Sequence, residues 1–160
     1  MAKLQKITPN LWFDTEAEEA ANFYASIFGD SQVVRVMHYG EAGPRPAGMV
    51  MTVTFQLEGQ EFTALNGGPE FKFNEAMSLL VNCETQEEVD DLWDKLSAGG
   101  EKGPCGWLKD KFGVSWQIAP TVLDEMLQDG DADRANRVMK AMLQMTKIDI
   151  GALEKAYGKR

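Results

Sequence analysis

A chain of 160 residues with 44% apolar content is long enough to bury an ordinary interior, as one domain or as two small halves sharing a core. Its 25 acidic against 16 basic residues leave a formal charge of -9, which repels phosphate backbones and anionic lipid surfaces and makes nucleic acid an unexpected partner. No stretch approaches the roughly 20 apolar residues of a membrane span, and "MAKLQKITPNLWF" lacks the apolar run and cleavage site of a signal peptide; the expectation is a soluble cytoplasmic protein with no membrane partner and with Cys83 and Cys105 as reduced thiols.

The first elements read as strand, then helix. "ITPNLWF" (7–13) is a short β-type run. Asp14 and Thr15 are candidate N-caps for "EAEEAANFYASIFG", where Ala20, Phe23, Tyr24, Ile27 and Phe28 fall on one helical stripe and Gly29 stops the helix. Three β-type segments follow, "SQVVRVMHY", "MVMTVTFQL" and "EFTALN", with Pro44 and Pro46 arguing against regular structure between the first two.

From Asn74 the order begins again. "EAMSLLVNC" reads as a strand and "TQEEVDDLWDKLSAGG" as a helix that buries Val89, Leu92, Trp93 and Leu96. Thr85 and Glu88 have capping-box spacing, Gly99-Gly100 closes the helix, and β-type runs continue to Ile118. Two copies of βαβββ suggest an internal duplication. The expected layout is an α+β domain over 1–120, with modules of about 1–70 and 71–120, and a helical extension over 121–160. In that extension Val138, Met142 and Met145 form a stripe suited to a core or dimer contact.

The duplicated modules resemble the vicinal oxygen chelate superfamily of glyoxalase I, bleomycin-resistance proteins and extradiol dioxygenases. "ITPNLWFD", "ALNGGPEFKFNEA", "ETQEEVDDLWDKLSAGG" and "CGWLKDKFGVSWQIAP" resemble its PhnB-like branch, often labelled 3-demethylubiquinone-9 3-methyltransferase, over nearly the whole chain including the tail. The resemblance implies paired cupped sheets around a cavity, a homodimer and, in the metal enzymes of the superfamily, four ligands on cavity-facing positions of the first and last strands of each module.

Side chains alternate between sheet faces with period two. With Val114, Trp116 and Ile118 on the packed face, Ser115, Gln117 and Ala119 turn to the cavity. Matching the "KDKFG" turn to the corresponding turn of metal-binding relatives puts Gln117 at their carboxylate position. The same reading gives the ligand set Thr8, Phe62, Ala76 and Gln117, which lacks imidazole, thiolate and carboxylate, so neither metal nor cofactor is expected. The candidate ligand-binding residues are Asn10, Trp12, Asn66, Ser78, Trp107, Ser115 and Gln117, amides, hydroxyls and aromatics that suit a small, partly aromatic, polar organic molecule.

Catalytic residues are not identified. His38, at a strand end, is the sole histidine; Cys105 and Ser115 are nucleophile types without a histidine in sequence reach; Asp14, Glu61, Glu70, Glu75 and Asp110 are candidate acid/base groups. No Gly-rich loop joins a strand to a helix, so an adenosylmethionine site of the usual open-sheet kind is not expected despite the methyltransferase label. The expected function is metal-independent binding of a small organic molecule. The alternative is an enzyme of the superfamily acting on a small organic substrate with metal assistance.

Overall fold

The computed structural model describes residues 4–158 and divides into two units, Met1–Phe73 and Asn74–Arg160. In the first, strand β1 (Asn10–Phe13) leads into helix α1 (Ala17–Ile27), followed by β2 (Gln32–His38), β3 (Val50–Leu57) and β4 (Gln60–Asn66). They form a four-stranded sheet in the order β1-β4-β3-β2, with β1 parallel to β4 and the other pairs antiparallel. Helix α1 buries Ala17, Ala20, Ala21 and Tyr24. The three alanines leave room for the sheet residues Val53, Phe55 and Ala64, all fully buried, and the Tyr24 ring packs near that of Phe55.

The start of α1 corrects the expected cap. Its N-cap is Glu16, whose side chain makes no capping bond, and neither Asp14 nor Thr15 takes that part. The buried N–H of Ala17, left without a partner inside the helix, donates instead to Asn66 Oδ1 at 2.8 Å, from the end of β4. A side chain distant in sequence thus supplies the acceptor that a local Ser or Asp commonly provides.

The second unit repeats the order. Strand β5 (Ser78–Cys83) precedes α2 (Gln86–Ser97), then β6 (Glu101–Lys102), β7 (Trp107–Lys109) and β8 (Ser115–Pro120), in a sheet ordered β5-β8-β7-β6. β5 and β8 are again parallel, so both modules share one topology, as expected of a duplication. In α2 the expected stripe of Val89, Leu92, Trp93 and Leu96 is buried, and Thr85 Oγ1 accepts from Glu88 N–H at 3.1 Å. The return bond of the box runs from Glu84 N–H, one residue before the cap, to Glu88 Oε2 at 2.9 Å. Strand β5 begins later than its sequence suggests: Glu75 and Ala76 form a turn, and Met77 is 65% exposed instead of packed.

The extension folds as α3 (Thr121–Leu127), α4 (Ala132–Leu143) and α5 (Ile150–Tyr157) within the second unit. Leu123, Met126, Val138, Ile148 and Leu153 form its own small core, with Met142 and Met145 packed against it. Polar contacts hold it to the module. Gln86 Nε2 donates to Ile148 O at 3.0 Å while Gln86 Oε1 accepts from Ile150 N–H at 2.7 Å. Cys105 and Gly106 N–H groups donate to Met145 O and Thr146 O at 2.8 and 2.7 Å. Gly106, at φ 82°, could not carry a Cβ, which would lie 2.8 Å from Ile118 O and 3.0 Å from Ile148.

An ion pair between Lys147 Nζ and Asp90 Oδ1 at 2.9 Å also joins the extension to α2. Hydrogen bonds from Lys147 and then Gln86 hold the Asp90 carboxyl below its ordinary 3.8, and the bond to Asp90 holds the Lys147 ammonium above 10.5. The depressed carboxyl contributes stability above its unfolded value and loses it as pH falls through the folded one. The raised ammonium contributes below its unfolded value and loses it as pH rises through the folded one. The pair is therefore whole at neutral pH and fades at both extremes. NMR titration of the Asp90 carboxyl should give a higher midpoint in Lys147→Met than in the parent; equal midpoints would refute the coupling.

Candidate functional site

Strand β8 pairs with β5 on one side and β7 on the other, and this register gathers polar groups on the sheet face turned away from α2. Ser78 stands beside Ser115, Leu80 beside Gln117 and Asn82 beside Ala119; across the other edge Trp107 faces Gln117 and Lys109 faces Ser115. The opposite face holds Trp116, Ile118 and Leu108, all nearly inaccessible. Gln117 is polar between two apolar neighbours because it points the other way. Its Nε2 donates to Ser78 Oγ at 2.9 Å, which fixes the amide in place.

Trp107 is common to two of the pockets that open on this face among the described residues. The larger, about 330 Å³, has a floor of Leu80, Asn82, Trp107, Gln117 and Ala119. Its wall comes from the extension: Leu123, Asp124 and Leu127 of α3, and Met142 of α4. The smaller, about 190 Å³, includes Ser115, Lys109 and Glu75. Lys109 and Glu75 form a salt bridge that lowers the carboxyl and raises the ammonium, chiefly through their mutual hydrogen bond. Ser115 is 1% exposed, and its hydroxyl has no hydrogen-bond partner among the described residues. Only the larger pocket reaches the volume range of ordinary small-molecule sites.

Of the expected ligand-binding residues, the structure brings Ser78, Trp107, Ser115 and Gln117 onto this one face. Asn10 and Trp12 lie in the other unit, where Asn10 is exposed and Trp12 half-buried. The Trp12 indole N–H donates to Gly68 O at 2.9 Å, and its ring meets Phe71 edge-on at 5.0 Å. A Cβ on Gly67 would come within 2.4 Å of that ring, so the Gly67-Gly68 pair is what lets the chain fold over the indole.

Asn66 does not line an open face. It is 2% exposed and shares the α1-packed side of β4 with Phe62 and Ala64, where Nδ2 donates to Val50 O at 3.0 Å and Oδ1 caps α1. Its carbonyl accepts from Tyr39 Oη at 2.7 Å. Phe62 leaves the expected ligand set for the same reason: its ring stacks on Phe55 at 5.4 Å in the core, and Glu61 and Thr63 take the other face. Ala76 leaves it because it precedes β5: the residue paired with Gln117 is Leu80, and the side chain that reaches its amide is that of Ser78. A one-residue slip exchanges faces.

Asp110 is structural in its contacts. Buried in the β7–β8 turn, it accepts from Phe112 N–H, Val114 N–H and the Trp116 indole. His38 is exposed at the end of β2. The thiol of Cys83 is fully buried and pushed up to about 12 by burial and by Glu88, which keeps it protonated and unreactive. The donors around Gln117, a hydroxyl and a neutral amide, do not suit a transition metal. Among the described residues no three His, Cys, Asp or Glu side chains come together to hold a metal ion.

Sequence reasoning missed Asn82 and the whole α3–α4 wall. Asn82 shares the period-two face of Ser78, which was a usable signal; the wall depends on how the helices dock, which periodicity does not encode.

Comparison with known proteins places these features. The model of the 3-demethylubiquinone-9 3-methyltransferase family matches residues 5–119, ending before α3, so the extension lies outside the resemblance instead of within it. The PhnB protein of Bacillus cereus is 44% identical, with a TM-score of 0.65, over 72% of this chain and 99% of its own. Protein PA1353 of Pseudomonas aeruginosa shares the fold at 22% identity and a TM-score of 0.61, over 74% of this chain and 98% of its own. So does the fosfomycin resistance protein FosX of Listeria monocytogenes, complexed with Mn(II) and sulfate, at 14% identity and a TM-score of 0.52, over 72% of this chain and 92% of its own. No curated protein matches the chain. With the family model spanning most of the chain and a relative at 44% identity, this is a member of the PhnB-like, 3-demethylubiquinone-9 3-methyltransferase family, built on the vicinal oxygen chelate fold with a helical extension of its own.

Proposed function

We propose that this chain is a small-molecule-binding protein whose ligand lies on the open face of the second sheet, against Trp107 and Gln117. The observation that carries this reading is the pocket of about 330 Å³ in which an amide fixed by Ser78 stands beside an indole. Apolar Leu80, Leu123, Leu127 and Met142 supply contact area, and Asn82 and Gln117 supply orientation. The donors present favour binding without a metal, in contrast to the relative crystallised with Mn(II). Methyl transfer, which the family description names, finds little support: Gly67-Gly68 follows β4 but no helix follows it, and Gly40, Gly43 and Gly48 lie between two strands.

The test is a thermal-shift screen of aromatic amides, alcohols, acids and amines, with adenosylmethionine included, followed by equilibrium dialysis of the hits. A hit should lose about three- to tenfold in affinity in Gln117→Ala, the range for one hydrogen bond, with little change in unfolding midpoint. Hits indifferent to both Gln117→Ala and Trp107→Ala would sink the reading. Saturable micromolar binding of adenosylmethionine would restore methyl transfer.

A further inference from the structure

The side chains lining the larger pocket are unequal in charge: Asp124 carries the one carboxylate, and no Lys, Arg or His is among them. An anionic ligand would meet that carboxylate, two side-chain amides and a protein of net charge -9, with no counter-charge. A cationic ligand meets the carboxylate at the rim and an indole, whose face attracts organic cations. The apolar part of the wall requires that such a ligand also carry a hydrocarbon body.

The acidic group belongs to the extension. Asp124 lies in α3, where its Oδ2 accepts from Gln128 Nε2 at 2.7 Å. The family model stops at residue 119, and the Bacillus cereus relative aligns almost whole with 72% of this chain, leaving the remainder without a counterpart there. Leu123, Leu127 and Met142 come from the same added segment.

We infer that the C-terminal extension makes the pocket selective for an amphipathic organic cation, an amine or ammonium with an apolar or aromatic body, by placing Asp124 and an aliphatic wall against Trp107. This rests on the binding role proposed above and adds to it the charge of the ligand and the residue that selects it. Asp124 is exposed, so its attraction is modest and screened by salt.

Isothermal titration of the full chain with phenylbutylamine, phenylbutanol and phenylbutanoate tests the inference, since the three differ mainly in the charge of one end. The amine should bind about fivefold tighter than the alcohol, and the acid weakest. In Asp124→Asn the preference for the amine over the alcohol should disappear, the two binding with equal affinity. Leu127→Trp, which fills the pocket, should weaken both. Equal or tighter binding of the acid, or an amine preference that survives Asp124→Asn, would overturn the charge selection and leave the binding role standing. Absence of binding by all three overturns the inference as well, and the Gln117→Ala result from the wider screen then decides separately whether the pocket binds anything.

Discussion

Asp110→Ala is expected to lower the free energy of unfolding by about 4 kcal/mol, a large share of the roughly 5–15 kcal/mol that a domain possesses. The carboxylate is 2% exposed. Its Oδ1 accepts from Phe112 N–H at 2.8 Å and Val114 N–H at 3.1 Å, and Oδ2 accepts from Trp116 Nε1–H at 2.9 Å. Truncation strands the Val114 and Trp116 donors in a buried place, and bonds to a charged acceptor are the more valuable kind. Asp110→Asn is the sharper probe. It keeps the shape but offers one acceptor oxygen where the site needs two, so an amide N–H must face a donor; a loss of about 2 kcal/mol is expected. Urea unfolding measures both. A general acid/base role would give the opposite result, an asparagine variant of parent stability with altered chemistry. Because this turn sets the pairing of β7 with β8, and so the place of Trp107 beside Gln117, weakened ligand binding should accompany the lost stability.

The closing hairpin shows why some of the molecule was legible in the sequence. In "VSWQIA" every second residue is large and apolar, so the faces separate without ambiguity, and Ser115 and Gln117 fall together on the open side. Helix α2 was legible for a similar reason, with its capping box and its buried stripe coded within one segment. The β5 start was not, because Ala76 and Met77 continue the apolar pattern of a strand whose pairing with β8 begins only at Ser78. Nor was the pocket wall. Its position depends on Gln86 bonding to the backbone at Ile148 and Ile150, and on the missing Cβ of Gly106, contacts between residues far apart in sequence.

Asn66 shows how a polar residue is misassigned, and its replacement yields the second large effect. Polarity suggested the open face, yet Phe62 and Ala64 share its parity along β4 and are buried against α1, which was the better guide. The amide is there because a helix start and a strand start both need partners: Ala17 N–H reaches Oδ1 at 2.8 Å, and Val50 O receives Nδ2–H at 3.0 Å. Asn66→Ala should cost about 3 kcal/mol, from two lost bonds and the desolvated groups they leave unpaired. Asn66→Leu should do no better, since filling the space satisfies neither group. Hydrogen exchange locates the effect: the Ala17 amide should lose protection in both variants, and the α2 amides, in the other unit, should lose far less. Parent-like stability in Asn66→Ala, together with weakened ligand binding, would return this residue to the open face. The same variants also bear on how the first unit is held together, because Tyr39 Oη and Arg45 both approach the Asn66 carbonyl. That carbonyl survives the substitution. The loop from 40 to 48 should therefore stay anchored at Tyr39 while the start of α1 frays, so the capping amide, rather than the backbone at that position, carries the loss.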